Sequence, residues 1–337
     1  MITLQPEKVE REYTLFYHYT VLDKDGKEIP LIVKLPRENW MTTLNEIVVC
    51  EDLREVAKEH AEILQKIDYA VRNSGIEELD AIRVPGLLPE FCAIVMENLP
   101  FITFKQKNLT IHPPFRTRKY WQEVSKEIRL AGKWLRIFHE TFDQDEEVTI
   151  EELKVDQQAE KYFDDIEAFC GQPNSRLRHE FMEIYDQVKD TKVHTTILHN
   201  DLHLNNIFIT SEGKVGGYDP IPGNIGTIYL DLARALTDPL SKREQLISHG
   251  NFYSRKYLDR LRGGFLEGYG EERIDHQLLN FYCALEGLKK LWEYEEILTS
   301  PKVSRIPGLQ RIGRFNIHRY VKKYIRGFLN GKKQKTF

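Results

Sequence analysis

Apolar positions in the first hundred residues are set mostly as strands around one helix, and those beyond are set mostly as helices. Residues 12–22, EYTLFYHYTVL, are β-branched and aromatic and run into the turn signal Asp23-Lys24-Asp25-Gly26. Ile29 to Leu35 resumes the apolar run, with Lys34 near its end, so the two segments predict an antiparallel hairpin. Residues 41–73 are rich in Glu, Lys, Leu and Ala, and apolar positions at Val56, Ile63, Leu64 and Ile67 predict a helix. Ile82-Arg83-Val84-Pro85 and Phe91 to Met96 read as two further strands, the second leading into Glu97-Asn98-Leu99-Pro100. From about residue 101 the pattern turns helical: Tyr120 to Phe142, then the acidic stretch 143–169, then 242–270, 274–297 and 314–329.

One stretch interrupts the helices. Residues 196–236 open with an apolar lead into His199-Asn200-Asp201, with Asn206 five residues after the aspartate. Ile207-Phe208-Ile209 and a Ser-Glu-Gly turn follow, a short strand ends at Asp219-Pro220, and Asp231 begins a helical pattern. Asx-rich turns between strands are common on local hydrogen bonding alone. Yet an Asp, an Asn five residues on and a second Asp beyond a hairpin are what phosphoryl transfer from a Mg-nucleotide requires. One carboxylate handles the hydroxyl proton, and the amide oxygen and other carboxylate are hard ligands suited to Mg²⁺.

Composition narrows the setting. Lys and Arg number 48 against 52 Asp and Glu, a formal charge of −4 that gives no reason to expect nucleic-acid binding. Cys50, Cys92, Cys170 and Cys283 are far apart, with no pair at metal-ligand spacing. No apolar stretch approaches the ~18 residues of a membrane span, and MITLQPEKVERE has no signal-peptide pattern. A cytoplasmic protein is expected.

His199 to Asn206, Tyr218-Asp219-Pro220 and Tyr229-Leu230-Asp231-Leu232-Ala233 together resemble the aminoglycoside phosphotransferase and choline kinase superfamily. Thinner likeness extends over Ile32-Val33-Lys34, Ile94 to Leu99 and Gly132 to His139. The resemblance implies an α/β (α+β) bilobal protein-kinase-like fold. A small antiparallel-sheet lobe would cover residues 1–98, and a helical catalytic and acceptor-binding lobe 99–337. By the same resemblance, Asp201 is the catalytic carboxylate and His199 braces its loop. Asn206 and Asp219 hold Mg²⁺, and Asp231 is a buried brace. Lys34 would clamp the phosphates of ATP (or GTP) and pair with a helix glutamate: Glu59 first, with Glu55 and Glu62 open. Met96 to Leu99 would be the hinge, the Glu97 carbonyl and Leu99 amide meeting adenine. The acceptor would be a hydroxyl of a small molecule or glycoconjugate.

One departure stands out. The family covers its nucleotide with a loop between two strands ahead of the lysine strand, whereas only ~10 residues precede residue 12 here and none is glycine. That keeps a nucleotide-binding pseudokinase or scaffold as an alternative. A metal hydrolase using His199, Asp201 and His203 is a weaker one. A protein kinase is disfavoured because too few residues separate Asp219 from Asp231 to hold a peptide-binding segment. The tail, 305–337, has ten Lys or Arg and no acid. Its helical pattern, with Arg319, Lys322, Lys323 and Arg326 on one face, predicts a packed terminal helix, or else a weak contact with an anionic membrane.

Overall fold

The computed structural model describes residues 2–11, 13–22, 24–39, 41–109, 117–171, 173–300 and 309–331. Parts of the basic tail, 305–308 and 332–337, therefore lie outside the described residues.

The chain begins with β1 (Ile2–Arg11), β2 (Thr14–Leu22) and β3 (Glu28–Pro36). Two helices follow, α1 (Leu44–Val49) and α2 (Glu51–Asn73), then β4 (Gly86–Leu88) and β5 (Ala93–Glu97). The five strands form one antiparallel sheet in the order β1-β2-β3-β5-β4. A first strand is thus present, and what is abbreviated is the loop after it. Arg11 pairs with Thr14, so residues 12 and 13 make the whole connection. The turn is pinned by the residue after β3: the Arg37 main-chain N–H donates to the Tyr13 carbonyl at 3.0 Å, and its buried guanidinium donates to the Arg11 carbonyl.

Three expectations shift here. The single helix over 41–73 is broken at Cys50, with Thr43 forming a capping box on α1. Residues 82–85 are not a strand; the pairing segment is β4, one step later. Val56 faces solvent at 38% exposure, because the buried stripe of α2 runs Leu53, Ala57, His60, Leu64, Ile67 and Val71.

The larger part contains β6 (Phe101–Thr103), α3 (Phe104–Asn108), α4 (Arg118–Thr141), β7 (Asp143–Thr149), α5 (Val155–Cys170) and α6 (Ser175–Val188). Next come β8 (Lys192–Ile197), β9 (Ile207–Thr210), β10 (Val215–Gly217), β11 (Ile225–Thr227) and α7 (Ile228–Thr237). It closes with α8 (Arg243–Ile247), α9 (Arg255–Tyr269), α10 (His276–Thr299) and α11 (Leu309–Leu329). The acidic stretch is not wholly helical: β7 pairs with β8 at the edge of a β11-β8-β7 sheet. Its acidic side chains point to water, which suits an edge that must not recruit a further strand. The helix expected over 242–270 is likewise split into α8 and α9. α4 and α9 cross so closely that a Cβ on Gly132 would meet the Phe265 carbonyl, and one on Gly268 the Arg129 carbonyl.

Buried apolar side chains fall in two clusters. Leu53, Ala57, Ala61 and Leu64 of α2 belong to the small-sheet cluster, while Ile63, Ile67 and Val71 belong to the large one. A division at residue 98 therefore does not separate the cores, since α2 serves both. On α11 the apolar positions Tyr320, Val321, Tyr324, Ile325, Phe328 and Leu329 are all buried, so this stripe is spent on the core and is not offered to a bilayer. No described helix is long and apolar enough to cross a membrane.

Candidate active site

Residues 198–206 form a loop between β8 and β9 whose shape is set by Asp231, in the first turn of α7. This carboxylate is fully buried: Oδ1 accepts from Asn200 N at 2.9 Å, and Oδ2 from His199 N at 2.7 Å and His139 Nε2 at 3.1 Å. With Nε2–H donating, His139 Nδ1 accepts from the Tyr269 hydroxyl at 2.9 Å. Burial alone would raise the Asp231 pKa, but the hydrogen bond from His139 holds it below the usual carboxylate value. His199 is also fully buried, its ring 5.9 Å from Trp134 and 5.7 Å from Phe138. Burial lowers its pKa, so the ring is neutral, and its backbone makes the contact with Asp231.

Asn206 ties the far end of the loop to Asp201. Its Nδ2 donates to the Asp201 carbonyl and to Asp201 Oδ2, both at 2.9 Å, leaving its amide oxygen as the free ligand atom. Tyr218 N donates to the Asn206 carbonyl at 3.0 Å, closing the β9–β10 hairpin and setting Asp219 beside the loop. Asn200 and Asp219 both turn the chain through left-handed backbone, φ 60° and 64°, a conformation that Asn and Asp tolerate best after glycine. Ile221 N donates to the His199 carbonyl at 3.0 Å, stitching the segment after Asp219 to the same loop.

Lys34 pairs with Asp219, and its Nζ lies 3.4 Å from His60 Nδ1. Burial alone would raise the Asp219 pKa, but the Lys34 charge and hydrogen bond bring it down to about 2. Burial, and then the Lys34 charge, push the His60 pKa well down, leaving a neutral ring to accept from the ammonium. The expected Lys34–Glu59 pair is not formed. Glu59 Oε1 accepts from Gly223 N at 2.8 Å, and Glu55 and Glu62 are exposed. The reason is register: His60 falls on the buried stripe of α2, and residue 59 sits ~100° away around the helix.

Lys34, His60 and Asp219 line a cleft of about 360 Å³ together with Met96, Glu97 and Leu99. Leu99 N donates to the Glu97 carbonyl at 3.1 Å, so the two hinge groups satisfy one another in a tight turn. Arg11 lines the roof of this cleft, its guanidinium 5.4 Å from the centre of the Phe16 ring. Sequence reasoning missed Arg11, His60 and His139. The even stripe Leu53-Ala57-His60-Leu64 was the available signal for His60, whereas Arg11 and His139 gave none that stands out by type and spacing.

The sequence profile of the phosphotransferase enzyme family matches residues 95–282, more than half of the chain. The chain belongs to that family. It is a phosphotransferase. Among curated proteins none matches it in sequence. Among solved structures it is similar to a glucosamine kinase bound to glucosamine, ADP and inorganic phosphate (TM-score 0.52, 11% identity, covering 95% of this chain and 94% of that one). It is also similar to the amicoumacin kinase hAmiN with AMP-PNP and Ca²⁺ (TM-score 0.51, 13% identity, 95% and 88%). A spectinomycin phosphotransferase with ADP and spectinomycin gives a TM-score of 0.50 at 17% identity, covering 96% and 92%. At these identities the likeness establishes the shared protein-kinase-like fold.

Within this family member the donor set suits a hard divalent cation with a nucleotide: an ionised Asp219 carboxylate and an Asn206 amide oxygen left open by its own N–H₂ contacts. The His199, Asp201 and His203 set does not suit a first-row metal. The three side chains do not converge as a ligand group among the described residues, His199 being buried against Trp134 and Phe138. On the other side of the loop, Arg234 donates to Asn200 Oδ1 at 3.0 Å and faces Glu286 at 3.8 Å.

Proposed function

We propose that this phosphotransferase moves the γ-phosphoryl group of ATP, or GTP, to a hydroxyl of a small molecule or glycoconjugate, with Asp201 as the base. The basis is the Tyr218 N to Asn206 O hydrogen bond, which sets Asp219, the partner of Lys34, next to the loop in which Asn206 holds Asp201. Asp201 Oδ2 is occupied by Asn206, which leaves Oδ1 to orient the acceptor hydroxyl and take its proton. Asn206 and Asp219 would hold Mg²⁺, which when bound neutralises charge on the phosphoryl oxygens. Lys34 exchanges part of its contact with Asp219 for the nucleotide phosphates, and His60 keeps the ammonium aimed while it does so. The Leu99 amide releases the Glu97 carbonyl so that both meet the base. With no glycine-rich backbone to cover the phosphates, Arg11 supplies positive charge from a side chain instead. Residues 1–98 serve as the nucleotide side and 99–337 as the catalytic and acceptor side, with α2 common to both.

The four cysteines are free thiols, which suits a reducing, cytoplasmic setting. The test is incubation with Mg-ATP or Mg-GTP and a panel of polyhydroxylated acceptors, beginning with glucosamine, spectinomycin and choline. The readout is phosphorylated acceptor by mass spectrometry. Turnover no greater than that of Asp201→Ala across the panel, with nucleotide still bound, would instead favour the scaffold reading, to which the two-residue β1–β2 link lends weight.

A further inference from the structure

Far along the chain from the cleft, α11 and the α5–α6 connection enclose a groove of about 740 Å³ that shares no lining residue with the nucleotide site. Its helical wall is basic apart from Phe315, and the nearby carboxylates are already engaged. Buried Glu295 takes Arg314 at 2.8 Å and His318 at 2.6 Å. Glu180 takes Arg326 at 2.7 Å and Arg176 at 2.8 Å. Glu167 accepts from Asn174 N at 2.8 Å and lies 3.5 Å from Arg178. Arg319, Lys322 and Lys323 are left with no carboxylate partner among the described residues. Lys322 is part-buried and reaches only the neutral amide oxygen of Asn174, at 2.5 Å. Burial lowers its pKa, as expected of an ammonium drawn partly out of water.

We infer that this groove is a second binding site, for a small organic anion carrying two or more phosphate groups. A groove of this volume is in the range of small-molecule sites and larger than a single ion needs. Arg319, Lys322, Lys323 and Arg326 recur along one face over two turns, a span of ~10 Å that suits several phosphates better than one. Phe315, 63% exposed at the groove, gives the organic part an apolar surface. The same phosphate chemistry is presented by a soluble metabolite and by a phosphorylated lipid headgroup. In neither case does the helix insert into a bilayer, because its apolar stripe is buried.

The test uses the full chain carrying Lys34→Ala, so that the nucleotide cleft contributes little. Calorimetry with tripolyphosphate and with inositol hexakisphosphate is run at about 0.15 M salt, where loose surface attraction is screened. Sedimentation with phosphatidylcholine vesicles, with and without phosphatidylinositol bisphosphate, forms the second arm. One-to-one binding is expected, weakened about tenfold or more by Arg319→Glu with Lys323→Glu and less by Lys322→Gln. Both reversed residues are exposed, so the melting curve of that variant should match its parent. Binding of the soluble probes assigns a free ligand, and binding to the phosphorylated vesicles alone assigns a headgroup. Absence of binding in both arms, stoichiometry well above one, or equal affinity after charge reversal overturns the inference. None of these outcomes depends on phosphotransfer.

Discussion

The two sides of the candidate site are held in different ways. On the larger side, Asp231 collects His139 and two backbone amides in full burial, and Tyr269 secures His139 in turn. On the smaller side, Lys34 rests on one carboxylate and one neutral imidazole, and Arg11 lies over a phenyl ring at a two-residue turn. The first arrangement is preorganised, since its groups have no other partner to take. On the proposed function, the second is made of contacts that would change hands when phosphates arrive. Substitutions on the two sides should therefore separate: one side loses chemistry and stability together, the other loses nucleotide affinity.

The largest effect is expected at Asp201. Asp201→Ala should lower turnover by ~10²–10⁴-fold while nucleotide affinity stays nearly unchanged; a variant that keeps more than about a hundredth of the rate places the base elsewhere. Next comes Asp219→Asn, which should weaken Mg-nucleotide binding far more than metal-free nucleotide binding. Equal losses in calorimetry with and without Mg²⁺ would remove Asp219 from the metal.

Asp231→Ala should cost about 1–3 kcal/mol of stability, because two backbone donors and an imidazole lose a buried acceptor, and activity should fall with it. The carboxylate's folded pKa is depressed, so its contribution is present above the unfolded value near ~4 and is lost as pH falls through the folded value. Asp231→Asn should accordingly flatten the acid limb of the melting profile, and an unchanged limb would place the acid sensitivity elsewhere. Arg11→Ala should be the mildest, raising KM for the nucleotide about fivefold, roughly the 1 kcal/mol at the upper end for an exposed charge pair, with kcat and melting temperature untouched. A loss in kcat instead would show that the roof of the cleft acts on the transferring group.

Much of the site could be read ahead because it is local. Asp201, Asn206, Asp219 and Asp231 fall within one short stretch, and a four-residue strand, a turn and a three-residue strand leave little freedom in how they meet. The elements that escaped were those made by partners and not by their own residues. Ile2–Arg11 holds Pro6 and several charges, and it becomes a strand only because β2 offers an unpaired edge, at the cost of a register shift between Thr3 and Glu7. The acidic β7 exists for the same reason beside β8. Glu59 precedes Ile63 and Ile67 on one face of α2, but the side of the helix that meets Lys34 is the neighbouring one, which His60 occupies.

α2 carries a mechanical consequence. Because its first half is rooted beneath the sheet and its second half in the helical body, it acts as a shaft clamped at both ends. The strand-to-hinge link at residues 97–99 is then not the sole pivot of the two bodies. Opening the cleft has to twist this shaft or slip it through one of its sockets, and slipping a close-packed helix means moving side chains between discrete seats. His60 lies on the half of α2 rooted beneath the sheet, so a slip in that socket would shift the imidazole on which the Lys34 ammonium rests.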